Sequence, residues 1–203
     1  MLLVGLTGGI ACGKTTVSNL FSRCGAPVID ADVLSRELVL PGSEGLSEIV
    51  AAFGDKVLAV DGTLNRDAMR KLIFSDREAK RRLESILHPR IRERMSTIEE
   101  QLRDQNTPYC IEVIPLLFES GQQDKFDRIL VIDCDEETQV SRIVLRDKCA
   151  PADARKIIKA QISRGERTNR ADNTIVNDTD LQQLEKQVVQ LHRFYTQQSQ
   201  ANR

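Results

Sequence analysis

A chain of 203 residues, 40% hydrophobic and 29% charged, has the make-up of an ordinary globular protein with room for one sizeable core. Its net charge of −1 removes any general electrostatic case for a nucleic-acid partner, and the absence of Trp leaves few platforms for stacking bases. Five cysteines without a C-x-x-C pair, and two histidines, argue against a zinc site or a disulfide framework; no stretch reaches a membrane span, and the apolar N-terminus lacks a basic leader region, so a reduced cytoplasmic protein with no membrane partner is expected.

In chain order, short apolar runs alternate with helical patterns, the signature of an α/β protein with a parallel sheet. Strands are expected at 2–7, 28–30, 109–115, 129–134 and 174–176. After the first, Val17, Leu20 and Phe21 fall at helical spacing. The long gap between the second and third strands holds helical segments near 33–40, 46–53, 67–74 and 77–102, which reads as a helical insertion on the sheet. In the last of these Leu83, Leu87, Ile91, Met95, Ile98 and Leu102 form one apolar stripe, and His88-Pro89 predicts a kink or a fresh helix start. A basic helical stretch follows from Val140 to Arg170. The final helix, about 180–198, carries Leu181, Leu184, Val188, Leu191 and Phe194 on one face.

Between the first strand and the first helix, Gly8 to Thr15 reads G-x-x-x-x-G-K-T. In a phosphate-binding loop the backbone N–H groups curl around an anion and the helix adds its positive end. Gly8, Gly9, Ala11, Cys12, Gly13, Lys14, Thr15 and Thr16 then form the ATP cradle, Lys14 reaching the outer phosphates and the Thr15 hydroxyl ligating Mg²⁺. The alternative is a turn whose glycines only permit tight packing. Neither D-x-x-G nor N-K-x-D occurs, which speaks against a GTPase switch. A small-molecule kinase needs an acid at the acceptor hydroxyl and a basic lid. Asp30 and Asp32 lie at the expected end of the second strand, where ligands of open α/β sheets bind. Asp32 reads as the general base, or as a helix cap. Arg142 and Arg146, one helical turn apart, followed by Arg164, Arg167 and Arg170, are lid candidates against the plainer reading of a solvated face.

These residues together resemble the dephospho-coenzyme A kinase family. The matching motifs are G-L-T-G-G-I-x-x-G-K-T, V-I-D-A-D-x-x-x-R ending at Arg36, G-x-L-x-R (Gly62, Leu64, Arg66) and L-H-P (Leu87 to Pro89). V-I-P-L-L-F-E (Val113 to Glu119), R-x-x-x-R-D from Arg142, Q-x-x-R (Gln161 to Arg164) and A-D-N-x-I-V-N ending at Asn177 extend the match over nearly the whole chain.

The resemblance implies a P-loop kinase fold, five parallel strands with helices on both faces. It implies a core at about 1–32, 107–140 and 171–203, an acceptor-binding insertion at about 33–106 and a lid at about 141–170. It further implies transfer of the ATP γ-phosphate to the ribose 3′-hydroxyl of dephospho-CoA, with Mg²⁺ accompanying ATP. Asp32 would be the base, with Lys14, Arg142 and Arg146 on the transferring group. Asn177 would lie near adenine, and Asp32, Arg36, Arg66, His88 and Glu119 on the acceptor side. The residues themselves leave His88 open to a local role at the proline, and Glu119 open to a cap or a place behind a metal.

The chain departs from the family in the loop, where relatives read G-I-G-S-G-K and this sequence has Ala11 and Cys12. An alanine is strained if its φ is positive. Cys12, amid curled N–H groups beside Lys14, reads as a reactive thiolate, against an inward-facing small hydrophobe. A kinase of another nucleotide or metabolite, or a nucleotide-binding regulator, remains the alternative.

Overall fold

A computed structural model describes residues 1–178 and 180–201. The chain divides into two compact units: Asp30–Gln101, and Met1–Ile29 together with the chain from Leu102 onward. Among the described residues the strands are β1 (Leu2–Gly8), β2 (Val28–Asp30), β3 (Tyr109–Val113), β4 (Arg128–Asp133) and β5 (Asn173–Val176). The helices are α1 (Lys14–Arg23), α2 (Ala31–Glu37), α3 (Glu44–Phe53), α4 (Arg66–Ser75), α5 (Arg77–Asp104), α6 (Glu136–Asp147), α7 (Pro151–Lys159), α8 (Arg164–Asn169) and α9 (Leu181–Ala201).

The strands form one sheet in the order β2-β3-β1-β4-β5. β1 runs parallel to both neighbours, Leu6 opposing Val113 on one side and Leu130 on the other, and β5 runs parallel to β4. Every residue of β1 is buried. A strand covered on both faces reads as a continuous apolar run rather than an alternating one, and L-L-V-G-L is such a run. Val17, Leu20 and Phe21 of α1 and Leu184, Val188 and Tyr195 of α9 join this core. Each such burial contributes roughly 1.5–3 kcal/mol. Leu181 departs from the expected apolar face of α9: it opens the helix and is 54% exposed.

The basic stretch expected from Val140 to Arg170 is three helices. α6 stops at Lys148, whose φ of 52° is left-handed, and Pro151 begins α7 at a position where its missing N–H costs nothing. Val140, Ile143 and Ala154 form a small cluster against which Ile10 and Ala11 of the glycine loop pack.

In the second unit, Ser43 and Asn65 cap α3 and α4 by accepting from the N–H groups of Leu46 and Ala68. Val39, Ile49, Val57 and Met69 are its buried centre, with Leu83, Ile86 and Leu87 of α5 packed on it. Of the kink or fresh helix start expected at His88-Pro89, the fresh start does not occur: α5 runs through with Pro89 inside it. Proline removes one ladder bond, at about 3 kcal/mol. A long helix whose apolar stripe is anchored by packing absorbs that loss.

Candidate active site

The glycines of the loop are required by close approach. A Cβ on Gly8 would run into the carbonyl of Ile132 in β4, and one on Gly13 into the Asn177 amide. A Cβ on Gly9 would lie 2.5 Å from Gln139 Nε2 and 2.9 Å from Arg167 Nη2. Gly13 stands before α1 with φ 91° and supplies no side-chain cap. The first N–H groups of that helix therefore have no intrahelical acceptor and suit an anion. Lys14 is half-buried, and its Nζ donates to the carbonyls of Gly8 at 2.9 Å and Gly9 at 3.0 Å. Thr15 and Thr16 are exposed in the first turn. Ala11 has φ 60°, so the residue that replaces a glycine does occupy the left-handed region.

Side chains from far along the sequence hold the loop carbonyls. Gln139 Nε2 donates to Ile10 at 2.7 Å, Arg142 Nη1 to Ala11 at 3.2 Å, and Asn177 Nδ2 to Cys12 at 2.7 Å. Arg142 Nη2 also donates to the carbonyl of Asn177 at 3.0 Å. Gln161 Oε1 accepts from the Ile10 N–H at 2.8 Å. A groove of about 310 Å³ beside the loop is lined by Ala11, Gly13, Thr16, Arg142, Asn177, Leu181 and Leu184. Leu181, exposed at the start of α9, is part of the lining of this groove.

The other arginines divide. Arg146 is exposed and bound to its neighbour Asp147 at 2.8 Å. Arg164 grips the buried carboxylate of Asp133 through Nε and Nη2, at 2.6 to 3.0 Å, and Asp133 raises its pKa. Arg170 lies over the Phe118 ring, 4.6 Å from its centroid. Arg167 is 5% exposed; its Nη1 makes one long bond to the Ile162 carbonyl, and its Nε has no hydrogen-bond partner among the described residues. It is a buried cation next to Gly9.

Cys12 overturns an expectation. It is fully buried, and the Cys134 thiol donates to its sulfur at 2.9 Å. That hydrogen bond lowers the Cys12 pKa against the opposing effect of burial, helped by the charges of Arg167 and Lys14, while the same bond and burial raise that of Cys134. Thiolate character is favoured, but the sulfur faces the core rather than the ligand, because the left-handed turn at Ala11 points the next side chain inward. Cys12 is the small inward residue, not an accessible thiol.

In the second unit, Asp30 caps α2, accepting from the N–H groups of Asp32 at 2.8 Å and Val33 at 3.2 Å. Capping is therefore the task of Asp30, and Asp32 is exposed in the first turn, with Arg36 exposed in the last. Arg66 opens α4 and, with Arg70, lines a groove of about 570 Å³ walled by Val39, Leu40 and Leu64. His88 is exposed on α5, and its ring makes no hydrogen bond among the described residues.

The family model for dephospho-CoA kinase matches residues 2–183. This chain belongs to the dephospho-CoA kinase family. It is 45% identical to a dephospho-CoA kinase of Nitrosospira multiformis over 96% of both chains. It is 46% identical to one of Acinetobacter baylyi over 96% of this chain and 98% of the relative. The dephospho-CoA kinase structure from Campylobacter jejuni superposes with a TM-score of 0.71 at 28% identity, covering 99% of this chain and 98% of that one. A Thermus thermophilus crystal structure gives 0.76 at 30%, covering 94% and 95%. A shikimate kinase from Bacteroides thetaiotaomicron, at 16% identity and a TM-score of 0.51, covering 95% of this chain and 97% of that one, shares the fold alone.

Within this dephospho-CoA kinase-family chain, Glu119 caps no helix among the described residues: its Oε1 accepts from the Ile162 N–H at 3.2 Å, tying the turn after β3 to the connection between α7 and α8. Gln139, which holds the loop, is not singled out by composition or periodicity; Arg167 stood among the lid candidates without its burial, and Leu181 on the expected apolar face of the last helix rather than in a groove. Gln161 did stand in a family motif, but the motif carries no geometry.

Proposed function

We propose that this protein phosphorylates the ribose 3′-hydroxyl of dephospho-CoA with ATP in the cytoplasm, giving CoA and ADP. The observation that carries the reading is the glycine loop, with its uncapped helix end, Lys14 ammonium and adjoining groove, in a chain whose family membership spans residues 2–183. Phosphate oxygens fit the α1 N-terminus, and the nucleoside fits the groove between Asn177 and the exposed Leu181. Arg167 supports an anionic ligand, since a buried guanidinium with no carboxylate partner among the described residues favours negative charge beside it.

Phosphoryl transfer demands positioning and charge stabilisation more than covalent work from the protein. Lys14, on exchanging the Gly8 and Gly9 carbonyls for phosphate oxygens, meets the charge on the transferring group, and we assign Arg142, now bonded to the Ala11 and Asn177 carbonyls, to the same charge. Arg146 joins them only by giving up Asp147. We assign Asp32 the proton of the acceptor hydroxyl, and Arg36, Arg66, His88 and Glu119 the acceptor side. Magnesium fits as ATP's companion because Thr15 presents a hard hydroxyl oxygen at an exposed first-turn position. Bound there, the ion would neutralise charge on the phosphate oxygens.

The test is a transfer assay with radiolabelled ATP, comparing dephospho-CoA with AMP and shikimate as acceptors. Label in CoA, with the other acceptors at background, supports the reading; equal or greater labelling of AMP or shikimate overturns it.

A further inference from the structure

Ile10 is a loop residue held through both of its backbone hydrogen-bonding groups. Its carbonyl accepts from Gln139 Nε2 at 2.7 Å, and its N–H donates to Gln161 Oε1 at 2.8 Å. The two glutamines come from α6 and from the connection between α7 and α8, 129 and 151 residues away along the chain. The amide orientations are forced, because a carbonyl can meet only a donor and an N–H only an acceptor. Gln139 is 2% exposed, and Gly9 is what lets its amide approach the loop.

This grip fixes two successive peptide planes, Gly9–Ile10 through its N–H and Ile10–Ala11 through its carbonyl, immediately before the strained turn at Ala11. Both hydrogen-bonding groups of Ile10 are consumed, so it offers nothing to a phosphate; the two planes instead set the direction in which the chain leaves towards Ala11, Cys12 and Gly13. Ile10 and Ala11 also pack on the Val140, Ile143 and Ala154 cluster, so side chains and backbone of the loop are anchored to the same pair of helices. A small rotation of either plane would redirect each N–H that follows, and misplacement by about 1 Å is enough to cost on the order of 10²-fold in rate.

We propose that Gln139 and Gln161 are positioning residues for phosphoryl transfer, clamping the two peptides that meet at Ile10 so that the N–H groups beyond them face the nucleotide phosphates. This rests on the kinase reading given above. Neither side chain touches the reacting atoms. Because Gln161 lies between α7 and α8, the clamp also makes loop geometry depend on the placement of those helices.

The test uses the two chemically opposite halves of the clamp. Gln161→Met keeps the length and removes the acceptor; Gln161→Glu restores an acceptor of the same reach. The affinity for ADP with magnesium is measured by calorimetry, alongside KM for each substrate, kcat and Tm. Gln161→Met is expected to weaken ADP binding and raise the KM for ATP on the order of tenfold, with the KM for dephospho-CoA little changed. Gln161→Glu is expected to recover most of that loss. Gln139→Glu, which sets an acceptor against the Ile10 carbonyl, should be worse than Gln139→Met at equal Tm. Gln161→Met with parental ADP affinity and turnover would overturn the proposal. So would a loss shared equally by Gln161→Met and Gln161→Glu, which would mark the neutral amide with its NH2 group rather than the acceptor as the requirement. ADP affinity is read without any acceptor substrate, so these outcomes stand apart from whether dephospho-CoA is the compound phosphorylated.

Discussion

Arg142 donates from Nη2 to the carbonyl oxygen of Asn177 at 3.0 Å, and from Nη1 of the same guanidinium to that of Ala11 at 3.2 Å. One planar fork thus joins α6, the end of β5 and the glycine loop. Lysine is a single point of charge and cannot span both carbonyls. Arg142→Lys should therefore slow transfer by about tenfold or more while leaving Tm nearly unchanged. Steady-state kinetics with a thermal melt checks this; parental turnover would make the fork dispensable.

Lys14→Ala should reduce transfer on the order of 10³-fold, since the ammonium is the group best placed to meet the transferring phosphoryl charge. Its two bonds to Gly8 and Gly9 are also lost, which is expected to cost stability only about 1 kcal/mol. Activity within about tenfold of the parent would remove the loop from the mechanism.

The carboxylates of I-D-A-D separate by substitution. Asp30→Ala should lower stability by about 1 kcal/mol, because it removes the acceptor for two N–H groups of α2. Asp32→Asn should leave Tm and ATP affinity alone and lower kcat strongly, because an amide cannot take the acceptor's proton. Thermal melts, ATP titration and turnover on both variants decide it; a stable, fully active Asp32→Asn enzyme would place the base elsewhere.

Cys12 should stay unmodified when the native protein is treated with iodoacetamide, while the half-buried Cys24 and Cys149 react. A lowered thiol pKa makes a nucleophile only where the reagent can reach it. Peptide mapping by mass spectrometry reads the result, and rapid labelling of Cys12 would mean the loop opens far more than its burial implies.

Ala11 offers a test of backbone strain. At φ 60° a Cβ costs roughly 1–2 kcal/mol, partly offset by the extra flexibility that glycine brings to the unfolded chain. Ala11→Gly should therefore shift stability by less than about 1 kcal/mol. Ala11→Val, branched at Cβ, should be clearly destabilising and should weaken nucleotide binding. Chemical denaturation with ADP titration measures both.

Much of this protein was legible before folding, because the relevant signals are local. The apolar run 2–7, the glycine spacing from Gly8 to Gly13 and the helical period after Lys14 each depend on neighbours a few residues apart. They marked β1, the loop and α1 correctly, and I-D-A-D marked the end of β2. Contacts between distant segments were not legible. Nothing in the spacing of Gln139, Gln161 or Asn177 shows that all three meet the loop, since hydrogen bonds across more than a hundred residues exist only once the strands are ordered β2-β3-β1-β4-β5. The direction of Cys12 was hidden for the same reason: one left-handed residue turned it to Cys134, and only the packed sheet put Cys134 there. Likewise, α5 passes through Pro89 because packing of its apolar stripe outweighs one missing bond, a balance that a local breaker cannot reveal. Sequence determined the elements and the chemical kind of the site; tertiary structure decided which side chains hold the loop, since that depends on closure of the chain and not on its local preferences.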